Sequence, residues 1–189
     1  MRVLLVSTYF IQYGIELANG LADAGIEVGL VFNEKNALQL VGDEYRSMVS
    51  DKVELKLAPG RHSQKLYTRS TWRNLRWFKK TIREFQPDVM HLQACNDIPS
   101  LWMAWRRKKG LAVTIHDVTP HPGNDEKTMS KLLYWIQEKY LIPHARKVGT
   151  QWITHGEILK TNMQKKFGVD LETISVVPHG ILEGFSVGG

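Results

Sequence analysis

Short apolar runs alternate with amphipathic stretches along the whole chain, and each change of period marks a boundary between elements. The apolar run at residues 3–6 predicts a first strand. In "IELANGLADAG", Leu17 and Leu21, and Ala18 and Ala22, recur at four-residue spacing. That spacing predicts a helix opening beside Gly14 and capped by Gly25. "IEVGLVF" reads as a second strand, and a helical stretch over about residues 36–48 leads to the strand "KVELKLA", closed by Pro59 and Gly60. A helix ending near Phe85 follows, and Pro87 and Asp88 introduce the strand "VMHLQA". A helix over about 97–109 and then Gly110 precede the strand "LAVTIH". Beyond it the pattern predicts a long helix over about 128–140 and the strand "KVGTQWIT". Thr154 and Glu157 form a capping-box pattern for the helix "EILKTNMQKKFG", with Lys165 and Lys166 in its last turn and Gly168 closing it. "TISVVPHG" is the last strand.

Strands that are apolar throughout, each followed by a helix, imply a parallel sheet covered on both faces. The predicted fold is α/β: a Rossmann-like three-layer αβα sandwich with a mostly parallel sheet of about seven strands. Ligands in such sheets bind beyond the carboxyl ends of the strands. Polar residues gather there. Ser7, Thr8 and Tyr9 follow the first strand, and Gln93, Asn96 and Asp97 the fourth. His116 and Asp117 follow the fifth, Thr154 and His155 the sixth, and Pro178, His179 and Gly180 the last. Three histidines at three strand ends could converge on one crevice.

Length and composition narrow the class. A chain of 189 residues with 43% hydrophobic content fits one domain that needs no staples. The lone Cys95 excludes an internal disulfide and suggests a reducing compartment. No apolar run reaches membrane-spanning length, and the amino terminus reads as a strand and not as a signal peptide, so the expected location is cytoplasmic.

The net charge of +6 is unevenly placed, with no acidic residue between positions 55 and 83. In a helix there, Lys65, Arg69, Arg73, Arg76, Lys80 and Arg83 line one side, and Leu75, Phe78, Ile82 and Phe85 the opposite one. Such a stripe is either a solvated outer face or a surface for anionic headgroups or an acidic substrate. Trp72 and Trp77 lie nearby, but no zinc-finger, RNP-type or helix-turn-helix signature accompanies them, which disfavours nucleic acid.

The first loop, "STYFIQYG", carries no GxGxxG, and Asn33 stands where a ribose-binding acid would follow the second strand, so dinucleotide binding is disfavoured. What remains is a helix amino end beside Gly14, where N–H groups and the helix dipole can receive a phosphate. The segment "HDVTPHPG" suggests a metal site built from His116, Asp117 and His121, but Pro120 and Pro122 forbid a helix around His121. His116 and Asp117 are adjacent, so their side chains point to opposite sides. There is no GxSxG, and Cys95 has no adjacent base in sequence.

"MRVLLVSTYF", Gly14 with "ELANGLADAGIEVGLV", "PDVMHLQA", "LAVTIHDVTPHPG" and "ISVVPHG" together resemble the N-terminal domain of GT-B glycosyltransferases of family 4. The resemblance covers residues 1–183, leaving 184–189 as a tail or truncation point. It implies retaining transfer of a sugar from a nucleotide-sugar to a glycan or lipid-linked acceptor, with no cofactor and no catalytic metal. It implies further that this acceptor-binding half is inactive without a C-terminal nucleotide-binding domain, which is expected to lie outside these residues. Catalytic contact with the transferred sugar falls to His116, with Asp117 orienting the loop. Donor phosphates fall to Gly14, His179 and Gly180, with His179 replacing the Asn of the family's Pro-Asn-Gly strand end. Tyr9, Asn96, His121 and His155 are expected to face the acceptor. Arg69, Arg73 and Arg76 become candidates for holding the domain at an anionic membrane surface. Two other classes stay open: a metal-dependent hydrolase using His116, Asp117 and His121, and a non-catalytic module binding a sugar or lipid headgroup.

Overall fold

The computed structural model describes residues 1–60, 68–93, 98–118 and 135–178. The elements run β1 (Arg2–Val6), α1 (Ile11–Asp23), β2 (Glu27–Asn33), α2 (Glu34–Leu40), β3 (Val53–Ala58), α3 (Arg69–Phe85), β4 (Val89–Leu92) and α4 (Ile98–Arg106). They continue with β5 (Leu111–Thr114), α5 (Ile142–Lys147), β6 (Gln151–Thr154), α6 (Glu157–Phe167) and β7 (Ile174–Val176). The strands form one seven-stranded sheet in the order β3-β2-β1-β4-β5-β6-β7. Every pairing is parallel. This is the doubly wound α/β fold that the apolar patterning predicts.

Successive strand residues face opposite sides of a sheet, and the two buried clusters obey that alternation. Leu5, Val28, Leu30 and Phe32 pack with Ile11, Ile15, Ala18 and Ala37 of α1 and α2. Leu4, Val6, Val31, Met90, Leu92, Leu111 and Val113 pack on the other side with Phe78, Met103, Ala145 and Met163 of α3 to α6. The same parity assigns His91, Gln93, Thr114 and His116 to the α1 face.

Several boundaries differ from the sequence expectation. Helix α1 begins at Ile11 and not after Gly14, because Ile11 and Ile15 are both buried on the sheet and extend the apolar stripe one turn back. The helix expected over 36–48 stops at Leu40, since Gly42 adopts φ 105 and a separate 3-10 turn, Asp43–Arg46, follows. Residues 128–134 of the expected long helix lie outside the described residues. Its end continues through a π-helical turn, Gln137–Leu141, into α5, so Lys147 ends a helix where a strand is expected. The capping box of Thr154 and Glu157 does not form: Gly156 is the N-cap of α6 and no side chain caps it. Thr154 is buried, and its hydroxyl turns to the Gly156 carbonyl at 3.4 Å.

Helix α3 shows the exposed basic stripe, with Arg69, Arg73, Arg76, Lys80 and Arg83 all on the surface. Lys65 lies outside the described residues. The buried face is partly polar, running Thr71, Asn74, Phe78, Thr81 and Phe85, with Leu75 and Ile82 half-buried at its flanks. Asn74 is stable there because its amide satisfies both backbone groups of Gly60, each at 2.9 Å.

Candidate functional site

Ladder hydrogen bonds continue past the strand ends and fix the loops that carry the polar residues. The Ser7 amide donates to Val31 O, the Gln93 amide to Val6 O, the Ile115 amide to Ile153 O and the Val177 amide to Thr154 O, all at 2.8–2.9 Å. Ser7 then organises the first loop. Its hydroxyl donates to Phe10 O at 2.7 Å, and the Gly14 N–H donates to the same carbonyl at 2.8 Å. Gly14 must lack a side chain, because a Cβ there would meet Ser7 Cβ and Oγ at 2.6 Å. The close approach of α1 to β1 therefore holds the Phe10 backbone by two bonds.

That placement puts an aromatic corner over the carboxyl ends of the central strands. The Phe10 ring stacks on the His116 imidazole, with centroids 3.6 Å apart and planes inclined by 16°. Tyr13 meets both His116 and His155 edge-on, at 6.1 and 5.5 Å. The His116 and His155 rings lie 4.8 Å apart. His155 Nδ1 donates to Val177 O at 2.9 Å, tying β6 to the end of β7. Below the corner lies a buried polar column. His116 Nε2 is 3.3 Å from Gln93 Oε1, and Gln93 Nε2 is 3.4 Å from His91 Nε2. His91 Nε2 is also 2.8 Å from the Thr114 hydroxyl. Burial pushes the His91 pKa down to about 4 and keeps its ring neutral, and burial raises that of Tyr13.

The structure thus brings His116, His155 and the Gly14 turn into one corner. Asp117 is exposed while its neighbour His116 is half-buried, in keeping with their opposite directions. Tyr9 is 40% exposed on the same loop as Phe10. Asn96, His121, His179 and Gly180 lie outside the described residues. Gly14 stands inside the first turn of α1, so its N–H is already committed to Phe10 O. The helix end still has no acidic residue in its first turn and no side-chain cap. The Thr8 hydroxyl, buried in the same loop, has no hydrogen-bond partner among the described residues.

Phe10, Tyr13 and His91 were not singled out by sequence reasoning. The signal for His91 and Gln93 was present: polar residues at alternate positions of an otherwise apolar central strand share one face. Phe10 and Tyr13 carried no such signal, because their placement depends on where α1 starts. Among the described residues, no group of three His, Cys, Asp or Glu is placed to hold a metal ion.

Two surface features lie apart from this corner. On α3, the Arg73 guanidinium donates to Pro59 O at 2.7 Å and the basic stripe is otherwise solvent-facing, beside the 59% exposed Trp72. Between α4 and the π-helical turn, an apolar groove of about 280 Å³ is lined by Ile98, Leu101, Trp102, Trp105, Ile136 and Tyr140, with Leu141. Among the described residues, no helix is long and apolar enough to cross a membrane.

Comparison with known proteins places this geometry. The fold is similar to that of UDP-GlcNAc 2-epimerase from Methanocaldococcus jannaschii, with a TM-score of 0.62 at 14% identity over 94% of this chain and 45% of that one. It is also similar to UDP-GlcNAc 2-epimerase from Neisseria meningitidis, solved bound to UDP-GlcNAc, with a TM-score of 0.56 at 13% identity over 93% of this chain and 45% of that one. The chain therefore spans a little under half the length of these proteins, matching one Rossmann-like half of a GT-B architecture. No curated protein matches the sequence. Residues 12–182 match the sequence family Glycosyltransferase Family 4. With nearly its whole length inside that match, and with the Rossmann-like sheet the family's GT-B fold requires, the chain belongs to glycosyltransferase family 4.

Proposed function

We propose that this chain is the acceptor-side half of a retaining glycosyltransferase, moving a sugar from a nucleotide-sugar to a glycan or lipid-linked acceptor. A second Rossmann-like domain holding the nucleotide completes the site, and this half alone does not turn over. The observation that carries the reading is His116, half-buried at the end of β5 between Phe10, Tyr13 and His155, in a family 4 chain.

In this reading the imidazole of His116 hydrogen-bonds a hydroxyl of the transferred sugar and holds its anomeric carbon toward the acceptor. The bond from that carbon to the nucleotide phosphate breaks, the acceptor oxygen forms its bond on the same face of the ring, and the acceptor's hydroxyl proton passes to the departing phosphate oxygen. Charge that develops on the departing diphosphate meets the amino end of α1, where the dipole favours anions and no first-turn acid opposes it. Gly14 serves this site by closeness of packing and not by its own N–H. Tyr9 and His155 flank the path of the acceptor, and Asp117 orients the loop after His116.

A lipid-linked acceptor suits the surface. The apolar groove beside α4 accepts a hydrocarbon chain, and the basic face of α3 attracts anionic headgroups. Incubating the full-length protein with a panel of nucleotide-sugars and acceptors tests the reading. Transfer with retained anomeric configuration supports it, and hydrolysis without transfer in every combination counts against it.

A further inference from the structure

Strand pairing holds the loop after β5 at its start, where the Ile115 amide donates to Ile153 O at 2.9 Å. At Val118 the same loop is held again, by a cation from a different element. Lys166, in the last turn of α6, donates from Nζ to Val118 O at 3.0 Å. Its ammonium also meets Glu138 Oε1 at 2.9 Å, in the π-helical turn, and lies 5.1 Å from the centre of the Phe167 ring. One side chain thus joins the end of α6, the loop after β5 and the π-helical turn. The helix dipole favours Lys165 and Lys166 alike, but it does not account for a bond to a carbonyl 48 residues away. Nor is stability a sufficient reason, since Lys166 and Glu138 are 33% and 39% exposed and such pairs contribute little. What the contact fixes is geometry. Ile115 and Val118 are both buried in one core cluster, and His116 sits between these two anchored residues with its ring stacked on Phe10.

We infer that Lys166 is a positioning residue, which sets the loop after β5 and through it the placement of the His116 imidazole against Phe10. Its consequence for turnover rests on the transferase reading, whereas the placement of the ring does not. A misplacement of about 1 Å at a contact group can cost about a hundredfold in rate.

A stacked ring shifts the protons it covers, so the Cε1–H proton signal of His116 reads the contact with Phe10. Full-length protein with isotope-labelled histidine supplies that signal, His116→Gln assigns it, and Phe10→Ala marks its unstacked position. Lys166→Met keeps the aliphatic stem but removes the donor. It is expected to move the signal toward the unstacked position and to lower kcat about tenfold. Lys166→Arg restores the donor, and both readouts return toward the parent. Lys165→Met removes the same helix-end charge without the loop contact and leaves both readouts unchanged. Glu138→Gln loosens the ammonium without removing it, and moves the signal in the same direction by less. This milder variant decides the matter if Lys166→Met does not fold. A parental His116 signal in folded Lys166→Met overturns the inference, as does a Lys165→Met shift of equal size. If His116→Ala abolishes transfer while Lys166→Met leaves the signal in place, the inference fails alone. If Lys166→Met moves the signal but His116→Ala transfers normally, the transferase reading fails and the positioning role stands.

Discussion

The ring of Phe10 lies flat on the imidazole of His116, 3.6 Å between centroids, although the two residues come from loops after different strands. The stack covers one face of the imidazole and restricts its rotation about the side-chain bonds. Offset and stacked aromatic pairs contribute about 0.5–1.5 kcal/mol beyond their buried area. Phe10→Ala is therefore expected to lower kcat of the full-length enzyme about tenfold, since 1.4 kcal/mol corresponds to about one decade. Steady-state kinetics check this, and an unchanged kcat would remove Phe10 from the site.

Gly14→Ala is expected to destabilise the fold by about 1–3 kcal/mol, the usual cost of forcing a methyl into packed space. The new methyl would overlap Ser7 Cβ and Oγ, each 2.6 Å from its position. Removing the hydroxyl alone, with Ser7→Ala, leaves the Cβ clash in place, so only Ser7→Gly in the Gly14→Ala background recovers stability. Urea midpoints of the three variants decide the matter. Equal midpoints for the parent and Gly14→Ala would mean that the loop gives way easily.

Stability should fall in acid through His91. Its folded-state pKa is depressed from 6.5 to about 4 by burial. Between those values the unfolded chain binds a proton that the folded chain refuses, so stability drops as pH falls from 6.5 toward 4. At full effect the loss is on the order of 3 kcal/mol. His91→Gln keeps a hydrogen-bonding side chain but removes the titration. The difference between urea midpoints at pH 7 and pH 4.5 should accordingly shrink in that variant; an undiminished difference would assign the acid sensitivity elsewhere.

Much of this architecture is legible in the sequence, for physical reasons. Each strand is an apolar run bounded by turn residues, and a sheet buried on both faces leaves no alternative reading. His116 is found because it closes such a run. What escapes is whatever depends on tertiary contact. The start of α1 is hidden because Phe10 and Tyr13 look like loop residues until Ile11 is seen to pack on the sheet. The buried face of α3 is misjudged because Thr71 and Asn74 are polar and become core residues only through Thr68 and Gly60. The capping pattern at Thr154 fails because burial of that residue commits its side chain elsewhere.

The basic face of α3 carries a further prediction. Cosedimentation with vesicles containing anionic lipid should be strong at low salt and weaken as salt rises, because exposed charges are screened beyond about 8 Å at physiological ionic strength. Replacing Arg69, Arg73 and Arg76 together by Gln should release most of the bound protein. Arg73 also supports Pro59 O, so a thermal melt of the triple variant is run in parallel. Binding that ignores salt and the three substitutions would leave the stripe as an ordinary solvated face.

The most direct measurement is sugar transfer by the full-length protein with His116 intact and with His116→Ala. The side chain is half-buried at a loop after β5, and its removal leaves the two buried clusters untouched. The account predicts a loss of about a hundredfold or more in kcat, in the range that a positioned polar contact contributes to catalysis, with little change in thermal midpoint. Near-parental turnover by a folded His116→Ala protein would contradict it.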